Sequence, residues 1–218
     1  MITPKLPTPL TADLLIVGEG SGDASFIDYL CQVRHIQGFQ IEDARGESKF
    51  PTYLNALKDR SGYERVKGIL IVGDSDDSPD ANFTKIRNYL KDAKLPQPNS
   101  PLTLAKRDGL TVCVMLLPYD NNGAIRGCLD TLLLRYIETE KPEFKECINK
   151  FRACIDGSER SNNQEDKFKL RCFIAALYAE DPNLAITFAV SPSKNLIDLN
   201  HSTFNEIAAF LTGFPALC

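Results

Sequence analysis

Two short apolar segments each run directly into an acidic, glycine-containing turn, and this pairing limits the fold more than any other feature. DLLIV at 13–17 is followed by GEGSGD, and ILIV at 69–72 is followed by GDSDD. Continuous apolar runs of this length are typical of strands buried on both faces of a parallel sheet. Ligands of open α/β sheets bind beyond the carboxyl ends of the strands. If these strands are neighbours, Glu19, Asp74 and Asp76 meet at one edge of the sheet.

Helical patterns alternate with the strand candidates. Apolar residues recur at helical spacing after both acidic turns, from about Asp23, which we expect to cap the first helix, and over about 80–93. A helix is also expected from about Pro51. Further strands are predicted at 36–42 and 110–117. The alternation predicts an α/β fold, with a parallel sheet of about four strands flanked by helices.

The rest of the chain divides into a loop and a helix-rich part. LPQPNSPLTLAKRDG at 95–109 is predicted to be a proline-rich surface loop. Beyond the sheet the pattern predicts four helices, at 125–138, 142–154, 165–179 and 203–212. It also offers one last strand candidate, AITFAV, at 185–190. We therefore expect a disordered lead-in at 1–11, an α/β core at 12–118 and a helix-rich C-terminal extension at 119–218, packed on that core.

Composition limits location and partners. The 218 residues carry a net charge of −4, no apolar run approaches the ~20 residues of a membrane span, and the N-terminus lacks the apolar stretch of a signal peptide. We expect a cytoplasmic protein without a membrane partner, and the oligomeric state stays open. A nucleic-acid-binding surface is usually basic, so binding of DNA or RNA would need a metal, a local basic patch or a partner subunit.

Cysteine and histidine give no metal motif. The seven cysteines include no CxxC pair, and several lie in apolar stretches, so free buried thiols in a reducing compartment are expected. His35 and His201 are the only histidines and lie far apart in sequence, so a zinc site built on them is not expected.

The acidic turns have the chemistry of a site for a hard cation. In extended backbone, residues two apart point the same way, so Asp74 and Asp76 would face one site together with Glu19. Three crowded carboxylates repel one another unless a cation compensates them. Oxygen ligands favour Mg²⁺ or Mn²⁺ over zinc. The alternative is that these are ordinary turn residues, with residues 77–80 capping the next helix.

Two phosphate-binding loops fit worse. A P-loop needs a lysine after its last glycine, and none follows Gly22. The dinucleotide-binding GxGxxG pattern fails because Gly18, Gly20 and Gly22 are spaced two by two.

These residues resemble the Toprim domain of bacterial primases, topoisomerases and OLD-family nucleases. LLIVGEGSGDASFIDYL resembles that family's strand-and-glutamate motif, and ILIVGDSDD resembles its Asp-x-Asp motif, so the likeness covers about 12–118. The whole chain also looks like a small stand-alone group of uncharacterised bacterial Toprim-related proteins. That second resemblance is carried by LPYDNNGAIRGCLDTLLL, DKFK and HSTFNEIAAFL.

The Toprim resemblance implies roles for the acidic residues. Glu19 would be a metal ligand or general acid/base, and Asp74 and Asp76 would hold the metal. Asp23 lies near the position at which OLD-like nucleases carry a second acidic residue, but its spacing from Glu19 is one residue longer than in their motif. Its alternative role is to cap the helix. Asp130 occupies a position at which members of the resembled family usually have a glutamate. The aspartate side chain is shorter, so its carboxyl group would reach less far.

The same resemblance implies a basic residue and an activity. Lys167 or Lys169 would correspond to the OLD-family lysine that stabilises the charged transition state. The alternative is that both lysines only lie on the solvent-exposed face of an amphipathic helix. Lys49 is a further candidate. The implied function is metal-dependent phosphoryl transfer with Mg²⁺ or Mn²⁺, as in a nuclease acting on DNA or RNA. The alternatives are a non-catalytic regulatory or partner-binding module, and a receiver-like phosphoacceptor or phosphatase.

Overall fold

A sheet of five strands lies at the centre of the computed structural model, which describes residues 8–120, 123–155, 159–177, 190–194 and 196–218. The strands are β1 (Leu14–Gly18), β2 (Phe39–Asp43), β3 (Gly68–Asp74), β4 (Ala105–Arg107) and β5 (Leu110–Leu117). Their order is β2-β1-β3-β5-β4, and all except β4 are parallel. A two-stranded hairpin follows, formed by β6 (Tyr119–Asp120) and β7 (Gly123–Ala124).

Helices cover both faces of this sheet. They are α1 (Ser21–Val33), α2 (Phe50–Ala56), α3 (Pro79–Asp92), α4 (Leu129–Glu140), α5 (Pro142–Cys154), α6 (Asn162–Leu177) and α7 (Asn205–Leu217). Short 3₁₀ turns lie at Leu57–Asp59, Tyr63–Arg65 and Ser202–Phe204. The predicted α/β fold with a mostly parallel sheet is confirmed.

The alternating side chains of the strands feed two hydrophobic cores. On one face, Ile16 and Leu70 pack with α1 and with the C-terminal helices α4, α6 and α7. On the other face, Leu15 and Ile71 pack with α2 and α3. Because successive residues of a strand point to opposite faces, a continuous apolar run is what a sheet covered on both sides requires.

The prediction of a loop at 95–109 is wrong in its last part, because β4 lies there. This strand pairs antiparallel with β5. Asp108 and Gly109 form the tight turn that connects the two strands, with φ angles of 53° and 79°. An Asp-Gly pair between two strands is a recognised hairpin pattern, so the sequence contained the necessary signal. The four predicted strands are the parallel ones, and β4 adds a fifth, antiparallel strand at the edge of the sheet.

Other details differ at the ends of elements. Helix α1 begins at Ser21 with Gly20 as its N-cap, so the prediction of Asp23 as the N-cap residue is wrong; Asp23 is the third residue of the helix, and its side chain accepts a hydrogen bond from the N-cap backbone. Residues 77–80 do begin a helix, since the Ser78 hydroxyl accepts a hydrogen bond from the Ala81 N–H at 3.3 Å. Residues 1–7 of the lead-in predicted at 1–11, and nearly all of the strand candidate at 185–190, lie outside the described residues.

Two further sequence expectations can be compared with the structure. All seven cysteines are free, but only Cys31, Cys113 and Cys128 are buried, so the expectation of buried thiols is wrong for the other four. Among the described residues, no helix has both the length and the apolar character that crossing a bilayer requires.

The packing of α4 on the sheet predicts a measurable loss of stability. Leu133 is fully buried in the core beneath the C-terminal helices. Leu133→Ala should lower the free energy of unfolding by roughly 2–5 kcal/mol, because it leaves a cavity between helix and sheet. Urea denaturation followed by far-UV circular dichroism measures this. Leu217→Ala, at a side chain that is 43% exposed, should change it by about 0.5 kcal/mol or less.

Candidate acidic site

Glu19 lies where β1 ends, directly beside β3. Its backbone N–H donates to the Val72 carbonyl at 2.8 Å, which extends the pairing of the two strands by one residue. A Cβ on Gly73 would lie 3.0 Å from the Glu19 Oε2 atom. The glycine at 73 therefore leaves the space in which the Glu19 carboxyl lies over the end of β3. Burial raises the pKa of Glu19, the Lys85 charge opposes that rise, and the charges of Glu47 and Asp76 add to it.

Asp23 lies on the first turn of α1, where it has both a structural and an electrostatic role. Its Oδ2 accepts the Gly20 N–H at 3.0 Å, which holds the turn between β1 and α1. The side chain is 8% exposed. Burial raises the pKa of Asp23 to about 7, the hydrogen bond from Gly20 opposes the rise, and the charges of Glu19 and Asp130 add to it.

Asp74 is the last residue of β3 and meets the start of α4. Its Oδ1 accepts the Leu129 N–H at 2.9 Å. Burial and the charge of Asp23 raise the pKa of Asp74 to about 8, with smaller contributions from Asp76 and Glu19, while the bond from Leu129 lowers it. The mutual effects on pKa show that Glu19, Asp23 and Asp74 share one electrostatic environment.

Asp76 joins this group by a different backbone path from the one expected. Its φ of 49° is left-handed, so the premise of extended backbone between Asp74 and Asp76 is wrong. The Oδ2 atom accepts from the Asn82 amide at 2.6 Å, and the Oδ1 atom accepts from the Asn163 amide at 2.9 Å. Its carbonyl accepts the Gly127 N–H at 2.9 Å. Asp76 thus ties the β3 turn to α3 and α6.

Asp130 is the most deeply buried of the predicted acids. It is 2% exposed, and its Oδ1 has no hydrogen-bond partner among the described residues. Its Oδ2 accepts from the Cys128 thiol at 3.7 Å. Burial raises the pKa of Asp130, and the charges of Lys167 and Arg171 oppose that rise. A buried carboxyl oxygen without a protein partner is unusual in a folded protein, and a water, an ion or a ligand would each satisfy it.

The two predicted lysines lie on different sides of α6. Asn163, Lys167 and Arg171 are spaced by four residues and share one face, which contacts Asp76 and interacts with the charge of Asp130. Lys169 is two residues further than Lys167 and so points away from that face. The structure therefore brings Lys167, and not Lys169, to the acidic group.

Several neighbours of the acids were missed in the sequence. Lys85 on α3 forms an ion pair with Glu47 at 3.0 Å and opposes the pKa rise of Glu19. The helical pattern gave a signal for it, since Asn82 and Lys85 lie one turn apart on a helix that begins right after the acidic turn. No local sequence pattern predicts the contact of Asn163 with Asp76, because the two residues lie 87 positions apart in the chain.

The donor set fits a divalent cation in chemistry and in charge. Glu19, Asp23, Asp74 and Asp130 offer hard oxygen atoms, their pKa values are raised, and Asp130 has an unpartnered buried oxygen. Binding of one ion also requires that several of these side chains lie close together in space. In the parts of the chain that the structure describes, no three Asp, Glu, His or Cys side chains come together closely enough to hold a metal ion.

Comparison with known proteins gives one match. A family model described as "Protein of unknown function (DUF3226)" matches residues 13–214, which includes every acidic residue discussed above. No curated protein and no solved structure matches the chain.

The raised pKa values predict how stability depends on pH. A carboxyl whose pKa is raised by folding binds its proton more tightly in the folded state, so its contribution is fully present below about pH 4 and is lost as pH rises through the folded pKa. For Asp74 this loss runs from its ordinary value of 3.8 to about 8. Asp74→Asn should therefore stabilise the metal-free protein at pH 8 by on the order of 1–3 kcal/mol, and much less at pH 4.

Urea denaturation in the presence of a chelator, at several pH values between 4 and 8, checks this. The matched control is Asp59→Asn, at an exposed side chain, whose stability should run parallel to that of wild type. A destabilised Asp74→Asn protein at pH 8 would contradict the expectation.

Proposed function

The chain belongs to the family described as proteins of unknown function (DUF3226), and from its acidic site we propose that it is a metal-dependent phosphoryl-transfer enzyme, a Toprim-type nuclease acting on DNA or RNA. One observation carries this proposal: carboxyl groups that follow β1, lie in α1 and α4 and end β3 interact electrostatically at the carboxyl edge of the sheet and have raised pKa values. Perturbed carboxyls that cluster at such an edge are characteristic of catalytic sites. The Toprim-like motifs around Glu19 and Asp74 add support.

The proposal gives the acids distinct tasks. Glu19, Asp23 and Asp74 would hold Mg²⁺ or Mn²⁺, and Asp130 would complete the set from α4. Such a cation supplies polarisation of a phosphate oxygen and a lowered pKa of a bound water. Asp76 acts differently, because Asn82 and Asn163 already satisfy both its oxygens and fix its orientation. We assign it to holding the β3 turn in place.

Lys167 would supply positive charge near Asp130. Its charge acts on Asp130, and its side chain is exposed, so it is accessible to a substrate phosphate. A cation beside a transferring phosphoryl group stabilises the charge that accumulates in the transition state. We also take the enzyme to act in the cytoplasm.

Cleavage assays test the reaction. Purified protein with Mg²⁺ or Mn²⁺ should cut supercoiled plasmid or labelled single strands of DNA or RNA. Glu19→Gln and Asp74→Asn should each reduce the rate by roughly 10²-fold or more, since each removes a charged oxygen without changing side-chain shape. Glu146→Gln, which removes a surface ion pair of α5 with Lys150, is the matched control. Equal cleavage by wild type and both site variants rejects the mechanism.

The two lysines of α6 provide a paired test. Lys167→Ala should lower kcat by roughly 10²-fold, whereas Lys169→Ala should leave it near the wild-type value. Lys167→Arg should retain much of the activity because it keeps the charge. Steady-state kinetics on a labelled oligonucleotide separates kcat from KM. Equal losses in Lys167→Ala and Lys169→Ala would contradict the assignment of Lys167 to the site.

A non-catalytic regulatory or partner-binding module is the second candidate. It is favoured by the absence, among residues 8–120, 123–155, 159–177, 190–194 and 196–218, of a ready-made group of three metal-binding side chains. The bonds from Leu129 to Asp74 and from the two asparagines to Asp76 are also what a purely structural site would show. Thermal unfolding discriminates between the two candidates. An unchanged midpoint with Mg²⁺ supports the module, whereas a rise that Asp74→Asn abolishes, together with cleavage activity, supports the enzyme.

A further inference from the structure

A cleft lined in part by the residues that follow β2 has more basic than acidic side chains. It has a volume of about 390 Å³ and lies between the edge strand β2 and the helix α2. This size is within the range of small-molecule binding sites, which begins at about 300 Å³. Its wall includes three basic residues, two acidic residues and three residues with hydroxyl groups, namely Arg45, Lys49, Arg60, Glu42, Asp43, Thr8, Thr52 and Tyr53.

Two of these cations are available to a ligand. Arg45 and Lys49 are exposed, and neither has an ion-pair partner among the residues that the structure describes. Arg45 also lines a second cleft, of about 530 Å³, on the α1 side of β2, so its side chain stands at the boundary between the two.

The third cation, Arg60, is fixed by a buried network. It is 9% exposed and donates to both Glu42 oxygens, at 2.5 Å and 2.8 Å, and to the carbonyl of Thr8. Tyr53 also donates to Glu42 at 2.5 Å. Burial would raise the pKa of Glu42, but the hydrogen bonds from Arg60 and Tyr53 outweigh it and lower that pKa. The Arg60 Nε has no partner among the described residues.

The network leaves the cleft with an excess of positive charge. Glu42 is neutralised by Arg60, and Asp43 accepts the Arg45 backbone N–H at 2.8 Å. The cleft therefore has three basic side chains and two carboxylates, whereas the whole chain has a net charge of −4. A local cationic cleft in an acidic protein is the kind of patch that an acidic chain needs to meet phosphate.

The cleft is joined to the acidic site through one loop. After β2, the Gly46 N–H donates to the Glu19 carbonyl at 2.8 Å, and Glu47 pairs with Lys85 at 3.0 Å. Arg45 and Lys49 flank these two contacts in the sequence, so the loop that lines the cleft is the loop that contacts the Glu19 backbone.

We infer that the cleft between β2 and α2 binds a phosphate group of a nucleotide through Arg45 and Lys49, either within a nucleic-acid strand that runs past Glu19 or in a free nucleotide. The inference rests on the proposed function for the identity of the ligand. It does not require cleavage, because Arg45, Lys49 and Arg60 are separate from the acids that would hold the metal.

Binding measured without divalent metal tests the inference. In buffer with a chelator, fluorescence anisotropy follows labelled single strands of DNA and RNA of about 12 nucleotides, a length within the usual range of single-strand sites. Calorimetry follows adenosine 5′-monophosphate, with adenosine as the probe that lacks phosphate. Arg45→Gln/Lys49→Gln should weaken binding at least about tenfold and reduce the slope of log K against log salt by about 0.7, the value for one lost phosphate contact with a single strand.

The control removes two positive charges elsewhere. Lys67→Gln/Lys150→Gln changes residues that pair with Asp13 and Glu146, away from the cleft, and should bind like wild type. Tight binding of the strands identifies a nucleic-acid ligand, and binding of the monophosphate alone identifies a free nucleotide. The inference is overturned if wild type binds none of these probes, if adenosine binds as well as its monophosphate, or if the cleft variant keeps wild-type affinity and salt slope. Failure of plasmid cleavage would leave these binding results intact, so the two proposals fail separately.

Discussion

The parallel pairing of β1 with β3 is the contact on which the rest of the site depends. Gly18 lies opposite Val72, and the next N–H along the chain, that of Glu19, bonds to the Val72 carbonyl. This register sets Glu19 over Gly73, one residue before Asp74, and the missing side chain of Gly73 gives the carboxyl its space. A shift of one residue would turn the apolar side chains of β1 to the wrong faces, so the two hydrophobic cores that fix the sheet also fix the acidic edge.

The C-terminal helices complete this edge and do more than cover the sheet. The first turn of α4 supplies the N–H that bonds to Asp74 and the buried carboxyl of Asp130. Helix α6 supplies Asn163 to Asp76 and the charge of Lys167 to Asp130. The same helices pack in the core beneath β1 and β3, so burial of apolar surface orders the polar contacts above it. The acids therefore belong to one site built from both halves of the chain.

Sequence reasoning predicted the parts of this arrangement that local patterns encode. Apolar runs gave β1, β3 and β5, and helical spacing gave α1, α3 and α5 within a few residues. The acids at the strand ends followed from the direction of parallel strands. What it missed depends on backbone detail or long-range packing. The left-handed turn at Asp76 is not visible in the letters GDSDD, and the contact from Asn163 joins residues that only the packing of α6 brings together.

The electrostatics of the edge show why ordinary turn chemistry is an incomplete account of it. Hydrogen bonds from Gly20 to Asp23 and from Leu129 to Asp74 are capping contacts of the kind that any strand-helix turn uses. Capping alone would lower the pKa of these carboxyls, yet burial and mutual repulsion raise it. The folded metal-free chain thus bears a cost at neutral pH that asparagine at the same positions would avoid. This cost, together with the unpartnered oxygen of Asp130, is the observation on which our proposal of a bound divalent cation rests.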